Sequence, residues 1–144
     1  MIKKENIKLW VIVFLLLVII INFIWVFFSS PLKVEIVPVK FIIGDRLGFD
    51  VNSSELTYGI ILKGNSGVRK LIIENNYSFP VIVRLYVSSE ISDYIYSENN
   101  LIIDKNEQIK LPVILRVPND IEYGNYTGKI RVEFRKYKGE KFNR

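Results

Sequence analysis

The apolar run of residues 9–28 constrains this chain more than any other feature of its sequence. The run contains no charged residue, no proline and no glycine, and Asn22 is its one side-chain amide. As a helix that rises about 1.5 Å per residue, it would be about 30 Å long, the thickness of the hydrocarbon core of a bilayer. Trp10 and Trp25 lie near its two ends, where amphipathic rings prefer the level of the lipid headgroups. The run therefore predicts a transmembrane helix over residues 9–28, with the lipid bilayer as a partner.

The same run has two other interpretations. A buried helix of a soluble domain conflicts with its length, because uncharged apolar stretches of about 18 residues or more are typical of membrane spans. A cleaved signal peptide also begins with basic residues, but its apolar core is about 7 to 15 residues long and small residues flank its cleavage site. Phe28 stands where a cut after Ser30 would require a small residue. The sequence therefore favours an uncleaved signal anchor.

Charges on either side of the run predict its orientation. Residues 1–8 form a short segment with three lysines and one glutamate. The residues after the run lead into a long domain, and the charges of long domains have little influence on the orientation of a membrane helix. The positive-inside rule then predicts a cytoplasmic segment of residues 1–8 and an extracytoplasmic domain of residues 29–138. Residues 139–144 form a basic tail, either a solvated chain end or a contact for an anionic polymer or membrane surface. The expected location is the cell membrane, crossed once.

Asn22 is the polar interruption of the run. It is either a tolerated amide or an amide that pairs with a second helix in a dimer, through a bond worth about 1 kcal/mol. The run has no small-xxx-small pattern that would favour a close approach of two helices.

The composition narrows the range of functions. The chain of 144 residues has no cysteine, so a domain outside the cell would depend on its hydrophobic core, which favours a prokaryotic surface protein. It has no histidine, which excludes histidine-dependent triads and histidine-based metal sites. The net charge of +5 is weak support for nucleic-acid binding, and we expect no nucleic-acid partner.

The sequence offers little that would carry a reaction. It has no Gly-x-Ser-x-Gly element and no D-x-[DN]-x-[DN]-G calcium loop, and no acidic pair has a spacing that forces a shared site. The aspartates lie mostly in expected turns, where aspartate caps local backbone. We therefore predict no catalytic residue, no cofactor-binding residue and no metal ligand, and a protein that is not an enzyme.

Beyond residue 31 the hydrophobic period changes from helical to two. Alternation over residues 81–87, 109–117 and 126–135 predicts strands with one face on a core and the other in water. Weaker strands are expected at residues 33–36, 39–43, 56–62, 68–74, 94–96 and 101–104. Pro112 predicts an edge strand or a bulge, since proline donates no ladder hydrogen bond. Such an edge either repels other strands or docks one.

These strands predict the fold class. About seven to nine short strands, with turns about every 8 to 12 residues, favour an all-β immunoglobulin-like sandwich preceded by the transmembrane helix. Glu122, Gly124 and Tyr126 belong to an acidic-x-Gly-x-Tyr-x-small motif that ends at Gly128. The motif resembles a tyrosine corner, in which a tyrosine at the start of strand F bonds to upstream backbone. We expect the Tyr126 hydroxyl to bond a buried acceptor, and Gly128 stands where antibody domains carry a cysteine.

Several elements follow one another in a pattern of aromatic-glycine, turn with glycine, apolar strand, asparagine, and strand after proline. They are Tyr58-Gly59, Lys63-Gly64, residues 68–74, Asn75-Asn76 and Pro80-Val81, followed by residues 109–118 and the Gly-x-Tyr-x-Gly element of residues 124–128. In these elements residues 55–135 resemble the ASH/MSP-like immunoglobulin domains. The resemblance implies a fold without an active site, and a role in scaffolding with protein or glycan contacts.

Three N-glycosylation sequons occur, at Asn52, Asn76 and Asn125. Each lies in an expected turn, where a glycan could be attached. Their use would require an extracytoplasmic location and a glycosylating host.

These features lead to one main functional hypothesis and two alternatives. The main hypothesis is a single-pass membrane-anchored module that displays an Ig-like domain outside the cell for contact with another surface or envelope protein. The first alternative is a subunit of a surface machine, such as an archaellum stator or a pilus assembly; such stator subunits share one amino-terminal helix and a β-sandwich. The second is a receptor for a glycan or cell-wall polymer, which would require aromatic residues clustered on one face. The available aromatic residues are Tyr77, Tyr86, Tyr94, Tyr96 and Tyr123.

Overall fold

One long helix and eight strands make up the described part of the chain. The structure is a computed structural model that describes residues 4–46 and 55–139, with only the backbone for residues 4–7 and 27–29. The chain divides into two compact units, residues 1–30 and residues 31–144. The helix belongs to the first unit and all the strands belong to the second.

The helix α1, Lys4–Ser29, begins before the predicted span and contains it. Its segment Lys8–Val26 has a mean hydropathy of 3.0 and none of it is buried, so the helix is long and apolar enough to cross a membrane. At its end the Ser30 hydroxyl donates to the Val26 carbonyl at 2.9 Å. This bond serves one of the carbonyls at a helix end that lack a backbone partner, and Pro31 cannot continue the helix. The prediction of one apolar helix is therefore confirmed.

The second unit is built from two β-sheets. Its strands are β1 Lys33–Ile43, β2 Leu56–Ile61, β3 Ser66–Glu74, β4 Val81–Val87, β5 Ile95–Ser97, β6 Leu101–Ile103, β7 Gln108–Arg116 and β8 Gly124–Lys136. The five-stranded sheet has the order β2-β1-β8-β4-β6, in which β1 and β2 are parallel and the other neighbours antiparallel. The three-stranded sheet has the antiparallel order β3-β7-β5. The prediction that this part of the chain is mostly β is confirmed.

Both sheets contribute side chains to one hydrophobic core. On β4, Val81, Val83 and Leu85 are buried while the residues between them are partly exposed. On β7, Val113 and Leu115 are buried in the same alternating way. The period of two in the sequence therefore identified the core faces of these strands.

Pro38 lies inside β1 and does not divide it. It pairs with Lys129 of β8 on one side, while the parallel strand β2 begins to pair only at Val39. Because β1 has one strand neighbour at this point among the described residues, the missing N–H of proline interrupts no hydrogen bond between β1 and β2. The prediction of two separate strands at residues 33–36 and 39–43 is therefore wrong.

Pro112 lies in the central strand of the smaller sheet. It pairs with Lys70 of β3, and on the other side β5 ends at Ser97, opposite Val113. The β3–β7 register runs through Pro112 without a shift. The prediction of an edge strand or a bulge is wrong for β7, although Pro112 itself has a strand neighbour on one side only within residues 4–46 and 55–139.

Candidate binding surface

Two of the three sequons lie in the described part of the chain. Asn76 is exposed in the loop after β3. Asn125 is exposed but lies in β8, where it pairs with Ile42 of β1, so the expectation of a turn at this sequon is wrong. Asn52 lies outside the described residues.

The tyrosine motif makes the kind of hydrogen bond that a tyrosine corner requires. The Tyr126 hydroxyl donates to the Glu122 backbone carbonyl at 3.0 Å, and Gly124 begins β8 between them. The Tyr126 ring stacks on Phe41 with centroids 5.1 Å apart and meets the edge of Tyr94 at 5.9 Å. Burial, followed by the nearby Tyr94 and Glu122, raises the pKa of the Tyr126 hydroxyl. Glu122 itself is exposed, so the expectation of a buried acceptor is wrong.

The tyrosines considered for glycan binding do not gather on one face. Tyr86 is exposed on the five-stranded sheet and Tyr96 on the three-stranded sheet. Tyr123 precedes β8 with the Lys63 ammonium 4.3 Å from its ring centroid, and Tyr77 and Tyr94 pack against the core. Their placement gives the glycan hypothesis no shared aromatic platform.

The side of the five-stranded sheet that faces away from the core carries arginine and apolar side chains. On β8, Arg131, Glu133 and Arg135 alternate with the core residues Val132 and Phe134. The neighbouring strands place Val34 and Arg84 opposite Glu133, Ile36 and Tyr86 opposite Arg131, Ile82 opposite Arg135, and Ile102 opposite Ile82. We call this set of residues the outer face: Val34, Ile36, Ile82, Arg84, Tyr86, Ile102, Arg131, Glu133 and Arg135.

The outer face holds more positive than negative charge. The Glu133 side chain is 5 % exposed and forms ion pairs with Arg131 and Arg135, the latter at 3.0 Å. Arg84 lies opposite Glu133 on β4, yet its Nε atom is buried without a hydrogen-bond partner among residues 4–46 and 55–139. One carboxylate therefore stands among three guanidinium groups. The Arg131 side chain remains 51 % exposed beside its ion pair with Glu133, so a carboxylate of a ligand can also bind its guanidinium, a group that holds carboxylates in a planar, paired geometry.

The burial of Glu133 departs from the sequence prediction, which placed this whole row of β8 in water. The reason is that β8 is the central strand of its sheet, with β1 on one side and β4 on the other. The side chains of Arg131 and Arg135 also lie next to Glu133 on the same strand, and the aliphatic part of an arginine can cover its neighbours. A polar residue in an alternating pattern is thus buried without facing the core.

Exposed apolar side chains surround the arginines of the outer face. Ile36 is 54 % exposed, Ile102 51 %, Tyr86 46 % and Val34 42 %. Contact regions between proteins are enriched in arginine and tyrosine, and exposed apolar patches mark such regions. The combination of apolar and arginine side chains therefore suits a protein partner better than a partner that is bound through charge alone.

The opposite side of the domain offers a weaker candidate. On the three-stranded sheet Val68 and Ile72 are exposed, and the Arg116 guanidinium lies 4.9 Å from the ring centroid of Tyr96. Arg116 therefore already has a cation–π partner. Lys70 and Glu74 of β3 are both exposed and have opposite charges. Because water already solvates the positive and negative side chains on this sheet, binding of a partner there would stabilise them less.

The described residues include no group of three or more histidine, cysteine, aspartate or glutamate side chains that could hold a metal ion. No protein-family model, curated protein or solved structure matches the chain. Nothing in these comparisons identifies an ASH/MSP-like domain, so that resemblance stays a prediction.

Proposed function

We propose that this chain is a single-pass membrane-anchored protein whose extracytoplasmic, immunoglobulin-like sandwich binds another surface or envelope protein through the outer face and catalyses no reaction. The observation that carries the proposal is the outer face itself, with one carboxylate among three arginines and four exposed apolar side chains around them. The partner would present carboxylates together with apolar side chains.

The helix α1 supports the anchoring part of the proposal. The segment Lys8–Val26 is apolar and has no buried residue, so in water it would expose a long apolar surface, which a bilayer removes. The three lysines of residues 1–8 support a cytoplasmic amino terminus by the positive-inside rule.

The strand pairing supports the immunoglobulin-like part of the proposal. In immunoglobulin sandwiches, strands B, E and D are neighbours in one sheet, and C, F and G in the other. With β3, β4, β7 and β8 as the counterparts of B, C, E and F, the order β3-β7-β5 matches B-E-D and the pair β4-β8 matches C-F. The bond from Tyr126 to Glu122 then falls at the start of the F counterpart, as in a tyrosine corner. β1 lies beside β8 where strand G would be, which is a departure from the immunoglobulin order.

A photo-cross-linking experiment in the producing cells tests the binding part of the proposal. A photoreactive amino acid is placed at Ile36 on the outer face, or at Ile72 on the three-stranded sheet; the two side chains are 54 % and 55 % exposed. We expect the probe at position 36 to form a defined adduct with one protein, identified by mass spectrometry, and the probe at position 72 to form none.

Charge reversal separates the outer face from unspecific contact. Arg131→Glu should abolish the adduct because it places a second carboxylate beside Glu133, whereas Lys70→Glu on the other sheet should leave it unchanged. Thermal melts of both variants check that the domain still folds. Equal adducts at positions 36 and 72, or an adduct that survives Arg131→Glu, would contradict the proposed surface.

A further inference from the structure

Asn22 has hydrogen-bonding capacity that α1 alone does not satisfy. Its Nδ2 atom donates to the Val18 carbonyl, one turn earlier, at 2.8 Å. A side-chain amide has two N–H donors and an oxygen that accepts. One N–H and the Oδ1 atom of Asn22 therefore have no partner among the described residues.

The position of Asn22 makes these unpaired groups costly. It lies four residues before Val26, the end of the apolar segment, and thus about 6 Å inside that end. The hydrocarbon core contains no water to serve the amide, so a polar group there favours an arrangement that supplies a protein partner.

Asn22 also lies in a surface that a second helix can fill. Val18, Ile19, Asn22, Phe23 and Val26 line a shallow groove along one side of α1. Valine and isoleucine have few rotamers in a helix, so they lose little freedom when another helix packs on them.

Because residues 9–28 are apolar apart from Asn22, the position of Asn22 selects the seam along which a second helix would pack. Val11, Leu15, Val18, Asn22 and Trp25 recur at intervals of four and three residues. This is the spacing of a left-handed coiled-coil seam, in which a single asparagine fixes the register and the number of helices. Asn22 is the polar member of that seam.

We infer that α1 pairs with α1 of a second copy of this chain, with the two Asn22 side chains hydrogen-bonded to each other. The inference rests on the proposal that α1 spans the membrane. Two copies with the same topology are parallel, so their Asn22 residues lie at the same depth. In a two-fold interface a residue near the axis meets its own copy, and each free N–H can then donate to the Oδ1 atom of the other copy. A second copy thus supplies both groups that Asn22 lacks.

Energy transfer between full-length chains in phospholipid bilayers tests this inference. The sequence has no cysteine, so Ser30→Cys introduces a unique site for donor and acceptor dyes at the end of the helix. Asn22→Leu removes the amide and should weaken dimerisation about fivefold to thirtyfold. Asn22→Gln retains an amide and should keep most of the transfer, and Ile24→Leu, at similar depth on the opposite side of the helix, should leave it unchanged.

The outcomes separate this inference from the proposed function. Loss of the chain from bilayers during an alkaline wash would overturn the membrane anchor and the pairing together. A chain that stays in the bilayer but transfers no energy, or an Asn22→Leu variant that transfers as much as the wild type, would overturn only the pairing.

Discussion

The Tyr126 hydroxyl donates to the backbone carbonyl of Glu122 at 3.0 Å, while the Tyr126 ring stacks on the buried ring of Phe41. The two contacts have different energetic weight. Because Glu122 is exposed, water can replace the lost donor, so Tyr126→Phe should lower the free energy of unfolding by only about 0.5 to 1.5 kcal/mol. Tyr126→Ala also removes the ring and should cost about 3 kcal/mol or more.

Urea melts of residues 31–144 measure both changes. Tyr86→Phe is the control, since Tyr86 is 46 % exposed and makes no hydroxyl hydrogen bond among the described residues. If Tyr126→Phe shifts the midpoint no more than Tyr86→Phe does, the bond to Glu122 does not contribute to stability.

Gly128 leaves space that the Ile91 side chain occupies. A Cβ atom at position 128 would lie 2.6 Å from Ile91 Cδ1 and 2.7 Å from Ser88 Oγ, and Ile91 is fully buried. Gly128→Ala should therefore lower the free energy of unfolding by about 1 to 3 kcal/mol through overpacking. Gly139→Ala, which meets only Tyr137 at 3.5 Å, should have little effect. A Cβ atom at position 128 would also lie 2.6 Å from Ile91 Cγ1, so Ile91→Ala is the substitution that removes both obstructing carbons. The double variant Gly128→Ala with Ile91→Ala should lose less stability than the sum of the two single losses in the same melts; additive losses would show that Ile91 is not the obstacle.

Asn75 joins two loops through its buried side chain. Its Nδ2 atom lies 2.9 to 3.1 Å from the carbonyl oxygens of Phe79, Ile103 and Asp104, so one of its two N–H groups is shared between two of these acceptors. Its Oδ1 atom accepts from the Tyr77 amide at 3.0 Å. Asn75→Ala leaves these backbone groups without their partner and should cost about 3 kcal/mol or more.

The neighbouring residue provides a matched control for Asn75. Asn76 is exposed, so Asn76→Ala should change the unfolding midpoint very little. Asn75→Asp should lower the free energy of unfolding more than Asn75→Ala does, because it places a charged carboxylate against carbonyl oxygens. Similar midpoints for the variants at positions 75 and 76 would contradict this account.

Tyr58 makes the stability of the domain sensitive to alkaline pH. It is buried and donates to the Val113 carbonyl at 2.9 Å, and burial raises the pKa of its hydroxyl above the ordinary value of 10.0. The folded state thus favours the protonated form, so this contribution to stability is complete below pH 10.0 and declines as the pH rises above it. Urea melts across this range should show a steeper decline for the wild type than for Tyr58→Phe. Tyr86→Phe should decline as the wild type does, and equal slopes for all three would contradict the assignment.

The sequence predicted the elements that depend on local pattern. α1 follows from an uninterrupted apolar run, and β4 has the predicted bounds because its alternation is regular from Val81 to Val87. The hydrogen bond from Tyr126 to Glu122 could also be predicted from the sequence, because both residues belong to one short motif.

Features that depend on distant residues could not be predicted in the same way. The pairing of β1 with β8 joins the two ends of the domain, and the contact between Gly128 and Ile91 spans different elements. The burial of Glu133 follows from the central position of β8 in its sheet, which alternation along one strand does not reveal. The outer face could not be predicted from the sequence, because it depends on the β4–β8 register, which places Arg84 opposite Glu133.

Protease treatment of intact cells tests the central claim, which is an uncleaved α1 that displays the two-sheet domain outside. The readouts are antibody detection of the domain and mass spectrometry of the membrane fraction. We expect the domain to be removed without lysis, and a membrane-bound fragment that contains residues 1–28 to remain. Protection of the whole chain until lysis, or a membrane fraction from which residues 1–28 are missing before protease is added, would contradict the account.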